Sequence, residues 1–139
     1  MHRTVSVLAR ATAAAACVAL AAPLLALAQV PALQGQGAVR HVCGGIGSDE
    51  SAAFRAAMKD HPLSLLFARA SGDYLADVQV DVEDAQGKSV LSTKAAGPVC
   101  LVDLPKGKYM VHASAGGGGG HKMQMVTVDG TPRTADFRF

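Results

Sequence analysis

The chain has 139 residues, half of them apolar and only 4% aromatic, with 13 basic residues against 11 acidic. No stretch concentrates the basic residues on one face, which excludes an electrostatic nucleic-acid binder. The length suits one domain once a leader is set aside.

The leader is the first 28 residues. Met1 to Arg10 carries Arg3 and Arg10 and no acid, an apolar run follows from Ala11 to Leu27, and Ala26-Leu27-Ala28 is a small-x-small site. This order of basic, apolar and small residues predicts a secretory signal peptide cleaved after Ala28. The run falls short of the roughly 20 apolar residues of a spanning helix, and Pro23 interrupts it. Cys17 lies inside the run, not after it, so a lipid anchor is not expected. The expected location is the periplasm or outside the cell, with no membrane span after cleavage. The segment removes two basic residues and no acid, so basic and acidic residues balance in the mature chain.

Gln29 to Arg40 mixes Pro, Gly and Gln without a period and reads as part of a flexible lead-in over 29–42, with a short strand beginning at His41 and Val42. The domain then runs over 43–139. Ser48 suits a helix N-cap, and Asp49 and Glu50 place negative charge in the first turn. Pro62 stops the helix, which is expected over about 49–59. Phe54 and Met58 share one face and are expected to pack on a sheet.

Leu63 to Arg69 is an apolar run between Pro62 and the Ser71-Gly72-Asp73 turn, a strand covered on both faces. Ala76 to Glu83 alternates: Val78, Val80 and Val82 face one way, and Asp77, Gln79, Asp81 and Glu83 the other. Asp84 to Gly87 makes a hairpin turn, and Ser89 to Lys94 returns. Further strands are expected over Val99 to Leu104, Lys108 to Ser114, Met123 to Val128 and Ala135 to Phe139. Short strands at this spacing predict an all-β, antiparallel sandwich of about seven strands with one short N-terminal helix. Leu65, Phe67, Val78, Val80, Val82, Leu101, Leu104, Tyr109, Val111, Val128 and Phe137 are its expected core.

Two cysteines remain after the leader, Cys43 and Cys100. Export permits a disulfide between them, and closing so long a loop stabilises by about 4 kcal/mol in the chain-entropy account. Two separate buried thiols are the other arrangement.

The succession Ala76-Asp77-Val78-x-Val80, a turn with Gly87, Gly97-Pro98, then Asp103-Leu104-Pro105-x-Gly107-x-Tyr109-x-Val111, closing on Val126-x-Val128 and Phe137, resembles the carboxypeptidase regulatory-like domain. The resemblance covers about Leu63 to Phe139. It implies a transthyretin-like, seven-stranded sandwich and brings no catalytic residues. The segment Gly44-Gly45-Ile46-Gly47-Ser48-Asp49-Glu50 is similar to one in a group of small exported bacterial proteins, with a GGIG-x-(D/E)-E pattern of unassigned role.

Three places invite chemistry. The glycine-rich GGIGSDE segment lacks the Lys-Ser/Thr of a phosphate loop, and its own acids repel an anion. It reads as a structural loop and helix cap. Asp77, Asp81, Glu83 and Asp84 offer oxygen ligands, but carboxylates along a straight strand do not wrap a cation. They read as a solvated face. His121-x-Met123-x-Met125 puts imidazole and thioether ligands on one strand face, a set suited to copper. Three side chains there span roughly 13 Å, so one ion needs help from a neighbour, for which His112 is the candidate. The bland alternative is methionine as filler. His41, His61, His112 and His121 lie in no signature with Ser or Cys, so no enzyme and no cofactor are expected. The leading expectation is a non-enzymatic exported module that binds another exported or envelope protein by loops or an edge strand. A periplasmic copper-binding protein is the alternative.

Overall fold

A computed structural model describes residues 21, 22 and 28–139. The expected signal segment lies outside them except for Ala21, Ala22 and Ala28. No described helix is long and apolar enough to cross a membrane.

The elements in order are β1 (Gln34–Gln36), β2 (Val39–Gly44), α1 (Ser48–Ala57) with a 3-10 turn over Met58–Asp60, β3 (Leu63–Ala68), β4 (Val78–Glu83), β5 (Ser89–Ala95), β6 (Val99–Asp103), β7 (Gly107–Ala115), β8 (Gly120–Val128) and β9 (Arg133–Arg138). They form two sheets, β1-β2-β6-β3-β9 and β5-β4-β7-β8. The fold is an all-β sandwich with one short helix, and every pairing is antiparallel except β3 with β9.

Alternation builds the core. Val78, Val80 and Val82 of β4 and Tyr109, Val111 and Ala113 of β7 point inward, against Leu63, Leu65, Phe67, Ala135 and Phe137 of the other sheet. The register that pairs Phe67 with Phe137 brings their rings to 5.7 Å, tilted by 31°, a favourable aromatic geometry. All eleven residues expected in the core are buried.

The five-stranded sheet has a second covered face. Val42, Val99 and Leu101 point away from the sandwich and bury Phe54 of α1 completely, with Met58 packed alongside. That explains why β3 and β6 are apolar almost throughout, since each strand is covered on both sides. Close approach at this layer demands glycine: a Cβ on Gly97 would collide with the Gly44 backbone.

The region read as a lead-in over 29–42 contains a hairpin. Strand β1 and most of β2 lie within it, and β2 adds to the sheet beside β6. Alternation is absent there because polar side chains occupy β1; turn glycines and the β6 ladder supply the ordering instead. Strand β2 is the short strand expected from His41, begun two residues earlier, and β1 is unforeseen; with them the count rises from about seven to nine. A second difference concerns the helix start. Gly47 occupies the N-cap position, no side chain caps there, and Ser48 is already helical. Glu50 instead reaches back, and the Gly45 N–H donates to its Oε1 at 2.9 Å.

Cys43 and Cys100 are direct partners in the β2–β6 ladder, and a disulfide joins them with a Cα–Cα separation of 4.1 Å. It lies on the sandwich side of the sheet. The Leu104-Pro105-x-Gly107-x-Tyr109 turn also has a visible cause: the Tyr109 hydroxyl donates to the Pro105 carbonyl at 2.7 Å and closes the turn.

Candidate functional site on the open face of the four-stranded sheet

The four-stranded sheet buries one face and leaves the other bare. Its registers set Glu83 beside Met110, Asp81 beside His112 and Gln79 beside Ser114 across β4–β7. Across β7–β8 they set Met110 opposite Met125, His112 opposite Met123 and Ser114 opposite His121. These residues share the outer face, because their neighbours Tyr109, Val111 and Ala113 point inward. Met123 and Met125 are 58% and 67% exposed.

The loop of glycines sets this arrangement. Residues 116–119 turn the chain between Ala115 and Gly120, which are partners, so residues at equal distances from the turn face each other. Gly117 and Gly118 take positive φ, 65° and 80°, which glycine adopts without steric cost.

The sequence-predicted ligands divide. His112 and His121 come together, with Nδ1 of the first 3.4 Å from Nε2 of the second and ring centroids 5.5 Å apart. Met123 sits directly across from His112, and Met125 one register pair further on. Each imidazole has a second neighbour. His121 Nδ1 and the Ser114 hydroxyl are hydrogen-bonded at 2.8 Å. His112 Nε2 lies 3.4 Å from a Glu83 carboxylate oxygen without a well-formed hydrogen bond to it. Ser114 escaped sequence reasoning, although counting outward from the glycine loop places it opposite His121; Glu83, expected on a solvated face, stands beside His112. Among the described residues no three His, Cys, Asp or Glu side chains converge as a metal cluster. The side chains beside the two imidazoles include the Met123 thioether and the Ser114 hydroxyl.

The other acids of this region do not converge. Asp81 accepts from the Ser89 hydroxyl at 3.0 Å. Asp84 accepts from the backbone N–H groups of Gln86 and Lys88 and so closes its turn. Asp77 lies outside β4 with φ of 60°, so it does not share a straight strand with Asp81 and Glu83.

Elsewhere, GGIGSDE is a loop filled by its own Glu50 carboxylate. His61 Nδ1 and Asp103 lie 2.7 Å apart. His41 has a buried Nδ1 without a hydrogen-bond partner, and burial holds its imidazole below the ordinary histidine value.

One further feature borders the open face. No described strand pairs with the outer edge of β8. A cleft of about 500 Å³ runs along it, lined by Gln124 to Thr127 of β8 and Arg133 to Ala135 of β9. The Gln124 side chain bridges this gap by donating to the Asp136 carbonyl.

A scan against protein-family models finds no match for the chain, and a search of curated proteins finds none.

Proposed function

We propose that the chain is an exported, non-enzymatic binding module with a carboxypeptidase regulatory-like sandwich, and that its partner is another exported or envelope protein. The observation that carries this reading is the exposed β8 edge, nine residues long, with Met123 and Met125 standing out beside it. An extended segment of the partner adds to such an edge through main-chain hydrogen bonds, and its alternate side chains meet pockets beside the strand. Large apolar side chains held in water at an unpaired edge favour that use over a solvated surface. The Leu104-Pro105-x-Gly107-x-Tyr109 turn and the two-sheet architecture support the family assignment.

The test is site-specific photo-crosslinking in the exporting cell. A crosslinker at Met125 should trap one defined partner, and one at Ser92, on the opposite edge strand β5, should not. Equal capture from both edges, or none from Met125, sinks the reading.

A further inference from the structure

We propose that His112, His121 and Met123 form a binding site for one copper ion, held as Cu(I). The inference concerns the same open face but needs no protein partner, so either reading can fail without the other.

The distance between the rings fits an ion. Two imidazole nitrogens bound at about 2.0 Å to one ion at a tetrahedral angle lie about 3.3 Å apart. His112 Nδ1 and His121 Nε2 already stand 3.4 Å apart across the β7–β8 ladder. The ion would sit beside the line that joins them, with little movement of either ring.

The remaining ring nitrogens also have neighbours. A metal-binding imidazole must present a bare nitrogen to the ion, and its other N–H usually donates to a carboxylate, carbonyl or hydroxyl. His121 is placed for this, and His112 has the Glu83 carboxylate 3.4 Å from its Nε2, close enough to take that role after a small side-chain adjustment. With its proton on Nδ1, His121 donates to Ser114 Oγ and leaves Nε2 bare toward the gap. With its proton on Nε2, His112 donates toward Glu83 and leaves Nδ1 bare toward the same gap. In that tautomeric state the two bare nitrogens face each other without a proton between them. A cation in the gap resolves that contact. If His112 instead puts its proton in the gap, its Nε2 is left bare against the Glu83 carboxylate.

A sulfur neighbour selects the ion. Met123 is the ladder partner of His112 and lies two residues from His121 on the same strand face, so its thioether belongs to the same triangle of neighbours. Thioether sulfur favours Cu(I) over harder divalent ions. Zinc is less well served, because Glu83 meets His112 at Nε2, the nitrogen away from the gap, and Asp81, the β4 neighbour of His112, is turned to the Ser89 hydroxyl of β5. Met125 stands roughly 7 Å further along the strand, opposite Met110, and lies outside the ligand set. Sequence spacing points to His121, Met123 and Met125 on one strand with His112 as a candidate from the next; the ladder keeps His112 and leaves out Met125.

The purified protein is titrated with Cu(I) against a chromogenic competitor, and in parallel with Zn(II). One equivalent of Cu(I) should bind, with X-ray absorption showing nitrogen and sulfur scatterers. His121→Asn should weaken binding at least tenfold. Met123→Leu should remove the sulfur scatterer, and Met125→Leu should leave both affinity and spectrum unchanged. Ser114→Ala, a positioning change, should weaken binding about tenfold or more while the scatterers stay the same. The proposal is overturned by the absence of stoichiometric Cu(I) binding, by its persistence in a His112→Ala/His121→Ala variant, by tighter binding of Zn(II) than Cu(I), or by a sulfur signal that follows Met125 instead of Met123. These side chains lie on the outer face, so circular dichroism should show every variant folded.

Discussion

The two sheets of this small sandwich are built to opposite rules. The centre of the five-stranded sheet, β6 with its neighbours β2 and β3, is covered twice, by the facing sheet and by the α1 layer, and carries a disulfide between neighbouring strands. The four-stranded sheet is covered once, and its other face holds imidazoles, thioethers and carboxylates in water. Strands with no free face have nothing to offer a ligand, so their residues answer only to packing. The singly covered layer has half its side chains released from that duty, and recognition can reside there.

The sharpest way to break this comparison is to cut one side chain from each sheet. Phe67→Ala removes a fully buried ring that stacks on Phe137 and should cost about 3–5 kcal/mol in a urea melt. Met125→Ala on the open face should change stability by no more than about 0.5 kcal/mol. Comparable losses at the two positions would refute the division of labour.

A smaller effect is expected from the cross-strand bridge. Reduction, or a Cys43→Ala/Cys100→Ala variant, should lower stability by up to about 4 kcal/mol, read as a drop in Tm. It should leave metal affinity on the other sheet unchanged. A loss of binding with the bridge would show that the two layers are coupled.

The smallest effect is a pH dependence at His41. Its imidazole is held below the ordinary value by burial in the folded chain and returns to about 6.5 on unfolding. The folded state then binds fewer protons than the unfolded one in the window below that value. The stability conferred by keeping His41 neutral is therefore present above about pH 6.5 and lost as the pH falls through the lowered folded value. His41→Gln should flatten the fall in Tm between about pH 7 and pH 5 relative to the parent chain, and identical profiles would contradict the assignment.

Sequence reasoning succeeded where one physical rule acts alone. Val78, Val80 and Val82 alternate with polar residues, so β4 and its buried face could be read from period two. The unbroken apolar run of β3 announced its double cover. Reading failed where distant partners do the ordering. Gln34, Gly35 and Gln36 show no pattern, because β1 takes its structure from β2, which in turn borrows the β6 ladder. Ser48 is not the helix cap, because Gly47 takes that position, and Glu50 instead turns back to accept from the Gly45 N–H, five residues before it. His121 could be singled out by spacing, but its partnership with His112 depends on how many glycines turn the hairpin.

Strand β8 has one property that follows from its inward face. Lys122, Gln124, Val126 and Val128 point toward the sandwich in that order, and they pass from exposed, through half-buried, to fully buried. The apolar anchorage of the strand therefore sits entirely at its far end. The end next to the glycine loop is held by ladder bonds and by whatever joins the two imidazoles. Such a strand peels from the loop inward, with amide protons near His121 exchanging before those near Val128. An ion gripped by residues from both β7 and β8 would act as a clasp on the end that frays first.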